Sequence, residues 1–315
     1  MPQPYVFAIP SPVPGLELHM FHQPAAANPG RRAVLYVHGA TFPTSLSVAY
    51  RFDGRSWADA MADAGFDVFG VDFLGFGGSS RYPGMAVPAD AGLPLGRAPE
   101  AAAQLGCAVH AVTIRLGIPR ISLVAHSWGC IVAALFATQR PDLMDRLVLF
   151  GPIARREGPA NPPLPAWQCV TSAAQWARFV ADVPPGAPDV LAPAHFAAWA
   201  PEYLASDPAS LTRDPPSVAI PGGPRADIAD AWAGRLPYDP SGITAPLCIL
   251  RGAWDSLCTD ADAAWLFDAC TAAPVKRDVK LSGGTHLMHL EAGRAALYRD
   301  AIAFLHGEAG DSYVA

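Results

Sequence analysis

The chain lacks the sequence features of membrane-spanning, exported and nucleic-acid-binding proteins. None of its apolar runs approaches the roughly eighteen consecutive residues that a membrane helix requires. The first five residues do not place basic side chains before an apolar stretch, so they do not predict a secretory signal. Acidic side chains outnumber basic ones by 28 to 22, and the net charge of −6 disfavours contact with phosphate backbones. We therefore expect no membrane span and no nucleic-acid partner.

The six cysteines are too scattered to form a disulfide framework or a metal site. The chain contains no C-x-x-C pair, and no group of residues has the spacing of metal ligands. This cysteine usage is typical of proteins from a reducing compartment. We therefore expect a cytoplasmic protein that binds no metal.

The apolar residues, which make up 51% of the chain, fall into short runs separated by alanine-rich segments. The runs have the length of strands buried on both faces of a sheet, and they lie at 33–37, 68–73, 121–125, 147–150 and 247–250. The intervening segments with helical periodicity are 56–64, 100–116 and 130–139. This alternation predicts an α/β fold with a mostly parallel central sheet flanked by helices. Ahead of it, 5–9 and 16–21 predict an antiparallel pair at one sheet edge.

The alternation is interrupted between Phe150 and Leu247 by a segment rich in proline and aromatic residues. Helical patterns at 168–183 and 193–205 predict a mostly helical insertion there. The segment is too aromatic for a passive linker, so its rings are expected to form its own core or to line a pocket.

This interruption predicts a division of the chain into two parts. The core comprises 1–153 and 241–315, and a helical cap or lid comprises 154–240. Within the second part of the core, the pattern resumes with a helix near 261–270, a strand near 275–281 and a final helix over 290–305.

Ser127 is the strongest candidate for a reactive residue. A buried strand runs into Ala125-His126-Ser127-Trp128-Gly129 and then directly into a helix. This is the context of a nucleophile elbow, in which small residues flank a serine held on a strained turn. Ala125 replaces the first glycine of the usual G-x-S-x-G pattern, and its methyl group is the smallest possible departure.

Three further segments, like this elbow, match motifs of one protein family. His38-Gly39-Ala40 ends the first parallel strand, a D-x-x-G-x-G-x-S turn begins at Asp72, and a G-x-H-x-x-x-x-E segment contains His286. Together with the elbow, and in this order, they make nearly the whole chain resemble the α/β-hydrolase fold superfamily.

The resemblance implies a Ser-His-Asp triad, because this superfamily orders its triad as Ser, then Asp or Glu, then His. His286 would be the base and Asp255, in a G-x-x-D turn after a buried strand, the acid. His289 is the substitute for the base. Asp260 and Asp262 are expected to cap the next helix, and Glu291 is expected to brace the loop of His286.

The resemblance also implies an oxyanion hole built from backbone N–H groups of Trp128 and Ala40, with Thr41 as a second possibility for the latter. His38, Thr41 and the Trp128 ring are expected to contact substrate. His38 would also order the oxyanion loop, and burial of the Trp128 ring under the insertion is the alternative. His126 is expected to point away from Ser127 and to pack.

These features predict a serine hydrolase that cleaves a small-molecule carboxylic ester through an acyl-enzyme, with no cofactor. Amide or peptide cleavage, thioester hydrolysis, carbon–carbon cleavage and acyl transfer use the same triad and stay open. From a different class, a non-catalytic ligand-binding relative also stays open. Similar dehalogenases and epoxide hydrolases carry an aspartate where Ser127 stands. No oligomeric state is predicted.

Overall fold

The computed structural model describes residues 2–27, 32–160 and 162–307. Ten strands occur in these ranges: β1 (Tyr5–Pro10), β2 (Glu17–Gln23), β3 (Ala33–Val37), β4 (Asp67–Asp72), β5 (Ile121–His126), β6 (Met144–Phe150), β7 (Trp167–Thr171), β8 (Ser217–Pro221), β9 (Leu247–Gly252) and β10 (Lys276–Leu281). Eight helices accompany them in the same ranges: α1 (Trp57–Asp63), α2 (Ala98–Leu116), α3 (Trp128–Gln139), α4 (Ser172–Val180), α5 (Pro193–Ala205), α6 (Gly223–Trp232), α7 (Asp260–Ala269) and α8 (Arg294–His306).

Eight of the strands form one sheet in the order β1-β2-β4-β3-β5-β6-β9-β10. The pairs from β4 to β10 are parallel, whereas β1 pairs with β2, and β2 with β4, in antiparallel orientation. The strands and the antiparallel lead-in predicted from the sequence are therefore confirmed, as is the α/β class. Because parallel strands point the same way, the residues that follow β3, β5, β6, β9 and β10 lie at a common edge.

The sheet has a hydrophobic core on each face, which explains why its central strands are apolar throughout. Along β3, Val34 and Tyr36 join a cluster that includes α1 and α8, while Leu35 and Val37 join a cluster that includes α2, α3 and α7. Successive side chains of a strand point to opposite faces, so one short apolar run supplies both cores.

The segment between β6 and β9 differs in part from the prediction. Trp167–Thr171 forms a strand, β7, that pairs with β8 in antiparallel orientation, so the helix predicted over 168–183 was wrong in its first turn. The helix that follows, α4, begins at Ser172 with Thr171 as its N-cap, and α6 and β8 were not predicted. The last helix begins at Arg294 rather than at 290, because Met288–Leu290 forms a separate 3-10 turn.

Across the described ranges, no helix combines the length and the apolar character needed to cross a membrane.

Candidate active site

Ser127 lies on a strained turn between β5 and α3. Its φ of 57° and ψ of −125° fall in a region that residues with side chains rarely adopt. The turn is tight, because α3 begins at the next residue. The backbone also packs closely here: a Cβ on Gly129 would lie 2.5 Å from the backbone oxygen of His38, so only glycine fits there. The chain thus forms the elbow predicted from its sequence, with Ser127 6% exposed.

Asp255 and His286 are in direct contact at the same edge of the sheet. Asp255 follows β9 and His286 follows β10, and these neighbouring strands bring the two loops together. His286 Nδ1 lies 3.0 and 2.9 Å from the two carboxylate oxygens of Asp255. The backbone N–H groups of Leu257 and Cys258 also donate to Asp255 Oδ1, at 2.8 and 2.9 Å.

The surroundings of Asp255 keep it ionised. Burial opposes its charge, but the neighbouring His286 ring and the backbone N–H groups of Cys258 and Leu257 outweigh burial and hold the pKa of this carboxyl below its usual value. A carboxylate can only accept, so His286 Nδ1 donates to it and Nε2 is left as an acceptor. Nε2 of His286 makes no hydrogen bond with any residue that the structure describes, Ser127 included.

Glu291 fixes the position of the loop that carries His286. This side chain is fully buried and accepts hydrogen bonds from the backbone N–H and the hydroxyl of Thr285. Burial raises the pKa of Glu291 to about 7. Glu291 therefore has the bracing position that the sequence predicted for it.

Ser127 and His286 line one cavity of about 150 Å³. Its walls are mainly apolar, and they also include Ala40 and Thr41 of the segment after β3. The structure therefore brings four of the predicted site residues to one cavity, with Asp255 behind His286.

Two residues expected to contact substrate do not line this cavity. His38 is fully buried, with Nδ1 2.7 Å from the oxygen of Gly39 and Nε2 accepting from the backbone N–H of Phe73 at 3.1 Å. The Trp128 ring is also fully buried, and its Nε1 donates to Asp227 of α6 at 2.8 Å. Neither side chain therefore lines the cavity, and the Trp128 ring lies buried against the insertion, which is the alternative that the sequence left open.

His126 is among the residues around this cavity, and its ring packs as predicted. The ring is 2% exposed, stacks on Phe150 with centroids 4.9 Å apart and contacts the ring of His289 at 4.5 Å. His289, the substitute base, is fully buried, and its Nε2 lies 3.1 Å from Ser47 Oγ, whereas the histidine that pairs with Asp255 is His286.

The neighbouring acidic residues have structural partners. Asp262 forms a capping box with Thr259 at the start of α7 and pairs with Arg156. Asp260 pairs with Arg251 and Lys280 at the surface rather than capping the helix.

Several cavity residues were not found from the sequence. Gln175 and Arg178 come from α4, and Ile228 comes from α6. Arg178 also pairs with Asp182 at 2.8 Å, so it brings a partly neutralised positive charge to the cavity wall. These positions lie among aromatic and apolar residues, and the sequence pattern does not show which side of an insertion helix faces the sheet. The sequence therefore could not single them out.

Nowhere in the described ranges are three or more histidine, cysteine, aspartate or glutamate side chains arranged to hold a metal ion.

Solved structures of low sequence identity share this fold. A monoacylglycerol lipase from Paleococcus ferrophilus is 19% identical with a TM-score of 0.60, covering 93% of this chain and 99% of its own. A serine hydrolase from Cycloclasticus zankles is 14% identical with a TM-score of 0.65, covering 97% and 99%. An epoxide hydrolase from Vigna radiata is 13% identical with a TM-score of 0.62, covering 96% and 98%.

None of the curated proteins matches this chain. A family model does match, over residues 32–292, and its description is the alpha/beta hydrolase fold. This range contains the elbow at Ser127, the carboxylate Asp255 and the loop of His286. The chain belongs to the alpha/beta hydrolase fold family.

Proposed function

We propose that the protein is a serine hydrolase that cleaves a small carboxylic ester through an acyl-enzyme intermediate. One observation carries the proposal: the ionised Asp255 holds His286 beside the cavity that also contains the strained Ser127. Such a carboxylate fixes the imidazole with its acceptor nitrogen free, which is what a general base for a serine needs.

In the proposed reaction, Ser127 Oγ attacks the ester carbonyl carbon and His286 Nε2 takes the hydroxyl proton. Asp255 stabilises the imidazolium that forms. The tetrahedral intermediate then expels the alcohol, which takes the proton from His286. A water molecule attacks the acyl-serine in the same way, again passing its proton to His286, and the carboxylic acid leaves. The missing Ser127–His286 hydrogen bond is compatible with this sequence, because catalytic hydrogen bonds often tighten only when substrate binds.

The developing oxyanion would be bound by the backbone N–H groups of Trp128 and Ala40. Trp128 is the first residue of α3, so its N–H has no acceptor within the helix. Ala40 and the neighbouring Thr41 belong to a different segment of the chain, the one that follows β3, and they line the same cavity. Donors fixed in this way favour the transition state, where the negative charge appears.

We further propose that 154–240 acts as a cap on a core formed by 1–153 and 241–315. Support comes from the three cavity residues on α4 and α6, Gln175, Arg178 and Ile228. The small, mainly apolar cavity favours a short acyl group over a peptide. Among the structural neighbours, an epoxide hydrolase would require an aspartate nucleophile, which Ser127 does not provide.

A fluorophosphonate probe and a chromogenic acetate ester test the proposal together. Wild-type protein should hydrolyse the ester and carry one label, on the peptide that contains Ser127. Ser127→Ala should lose both the label and the turnover, whereas Ser241→Ala, at an exposed serine far along the chain, should keep both.

The alternatives give different results. Wild-type protein that binds the ester without turnover or labelling would be a ligand-binding relative. Faster turnover of matched amide or thioester substrates than of the ester would move the proposal to those bonds, and labelling that persists in Ser127→Ala would refute the assigned nucleophile.

A further inference from the structure

Arg178 places a positive charge on the wall of the cavity that contains Ser127 and His286. Among the described residues that line this cavity, Arg178 is alone in carrying a permanent charge, and none of the others is acidic. The ester chemistry proposed above gives this guanidinium no role. A charge on a mainly apolar wall is costly unless a counter-charge meets it, so the partners of Arg178 decide what it can bind.

Asp182 neutralises Arg178 from one side only. Arg178 donates from Nη1 and Nη2 to the two carboxylate oxygens of Asp182, at 3.3 and 2.8 Å. The hydroxyl and the backbone N–H of Ser256 also donate to this carboxylate, at 2.6 and 3.4 Å. With these donors, the side chain of Asp182 is 5% exposed, and it does not line the cavity. The negative end of the ion pair is therefore enclosed in the protein, whereas the positive end faces the cavity.

The guanidinium of Arg178 has donors to spare. It carries five N–H groups, of which Asp182 takes two. None of its nitrogens is both buried and unpaired, and the side chain is 30% exposed. The remaining N–H groups are therefore open to a ligand. A carboxylate is the group that matches the planar fork of a guanidinium.

The ion pair is anchored to the loop that carries the proposed triad acid. Ser256, the second partner of Asp182, directly follows Asp255 in the chain. Asp255 in turn holds His286 through Nδ1. The place of the guanidinium on the cavity wall is thus fixed by an ion pair and by a neighbouring loop, rather than by a long side chain alone.

The charge of Arg178 also acts close to the nucleophile. Burial first, then the rings of His289 and His286, and finally the charge of Arg178 lower the pKa of His126, which directly precedes Ser127. The cavity between these groups is small, about 150 Å³. Only a few atoms of a substrate can therefore separate a carbonyl at Ser127 from a group that contacts Arg178.

Resting on the proposed ester hydrolysis, we propose that Arg178 binds a carboxylate of the substrate a few bonds from the scissile carbonyl. The substrate class is thus a short anionic ester. The carboxylate belongs either to the acyl side, as in a half-ester of a dicarboxylic acid, or to the alcohol side, as in an acylated hydroxy acid. Apolar walls strengthen such a pairing, because charges attract each other more strongly where water is excluded.

The test compares anionic esters with neutral amides of nearly the same shape. Monomethyl succinate is paired with methyl succinamate, and 3-acetoxypropanoate with 3-acetoxypropanamide, and release of methanol or acetate is measured. Wild-type protein should favour the anionic member of at least one pair by roughly ten-fold or more in kcat/KM, the scale of a hydrogen-bonded charge. The pair that shows the preference assigns the carboxylate to the acyl or to the alcohol side.

Three variants test whether Arg178 causes the preference. Arg178→Gln should reduce it to less than about three-fold, because the charge-assisted hydrogen bonds are lost. Arg140→Gln is the matched control, since it removes the same charge from an exposed arginine with a similar carboxylate partner, Asp142, and it should keep the preference. Arg178→Gln combined with Asp182→Asn avoids an unpaired buried carboxylate, so it supports the measurement if the single variant does not fold, and it should also lose the preference.

The ratio of anionic to neutral ester within each protein cancels any loss of activity that a substitution causes in common. A wild-type ratio near one or below in both pairs, with turnover of the esters, would overturn the role of Arg178 and leave ester hydrolysis standing. A high ratio that persists without the guanidinium, or one that Arg140→Gln abolishes equally, would do the same. Wild-type protein that hydrolyses none of these esters and takes no fluorophosphonate label would instead refute the proposed function itself.

Discussion

At the scale of single residues, Asp255 is the group on which the base depends. It holds His286 Nδ1 with both oxygens while two backbone N–H groups fix the carboxylate itself. This arrangement sets the tautomer of the imidazole, because only a protonated Nδ1 can donate to the carboxylate. An amide at the same position could instead donate to Nδ1 and leave Nε2 protonated.

We therefore expect Asp255→Asn to lower kcat greatly with little effect on folding. In serine proteases the same change costs about 10⁴-fold, since the imidazole then has the wrong tautomer. Asp260→Asn is the matched control, because Asp260 pairs with Arg251 and Lys280 at the surface and should change kcat less than about two-fold. Steady-state kinetics and thermal melting measure both effects, and near-wild-type kcat in Asp255→Asn would contradict the triad.

The protonation of Glu291 should make the stability of the protein depend on pH. Its pKa is raised from 4.5 to about 7 by burial, so the folded protein holds this proton over a range in which the unfolded chain has released it. Below pH 4.5 both states are protonated and the burial of Glu291 has no ionic cost. Stability should then fall as pH rises to about 7, by about 3 kcal/mol at 1.36 kcal/mol per unit.

Glu291→Gln should remove this dependence, since its amide oxygen can still accept from the backbone N–H of Thr285 while its NH2 donates to the Thr285 hydroxyl. We expect the free energy of unfolding of the variant, measured by urea titration between pH 4.5 and 7, to decline less than that of wild-type protein. Parallel curves for the two proteins over this range would show that Glu291 does not titrate as its burial implies.

At the scale of helices and strands, Asp227 on α6 joins three elements around the elbow. Its carboxylate accepts from Trp128 Nε1 of α3, from the backbone N–H of Ala98 at the start of α2, and from Arg97. Asp227 is 2% exposed and Trp128 and Ala98 are fully buried, so the N–H groups of these two residues have no access to water as a replacement. The insertion is thus bonded to the residue whose backbone N–H we assign to the oxyanion hole.

Asp227→Ala should lower the free energy of unfolding by about 3 kcal/mol, because it leaves the buried indole N–H of Trp128 and the buried backbone N–H of Ala98 unsatisfied. It should also lower kcat more than it raises KM, since Trp128 loses its anchor. Asp230→Ala removes the other partner of Arg97 at a more exposed position and should cost less than about 1 kcal/mol. Equal stability and equal kcat in the two variants would show that Asp227 is not an anchor.

The central sheet was predictable because its strands are buried on both faces, so each of them is a continuous apolar run in the sequence. The elbow was predictable for a similar reason, since strand, serine and helix are adjacent in the chain. β7 was not: its residues pair with β8, which lies beyond two helices, so their structure depends on a distant partner. The hydrogen-bond partner of His126 was not predictable either, because the backbone oxygen of His286 belongs to another loop.

At the scale of the whole molecule, the insertion has separate residues for packing and for contact with the cavity. Its large rings are buried against the core: Phe179 and Trp199 lie 5.3 Å apart, and Trp199 reaches Phe42 at the same distance. Trp199 Nε1 also donates to the oxygen of Leu46. These rings therefore attach the insertion to the core. The insertion lines the cavity with other residues, which belong to α4 and, in the case of Ile228, to α6.

Two substitutions should separate these roles. Phe179→Ala removes a ring that is 1% exposed and should lower the free energy of unfolding by about 4 kcal/mol. Ile228→Ala removes a half-buried side chain that lines the cavity, so it should cost less stability and instead enlarge the space for the acyl group. We expect it to raise kcat/KM for a hexanoate ester relative to an acetate ester by roughly ten-fold, the scale of a few methylene contacts. A chain-length series on both variants, with urea unfolding of each, measures the two effects. If Ile228→Ala left the chain-length preference unchanged, α6 would not bound the acyl site, and other cavity residues would have to set the preference.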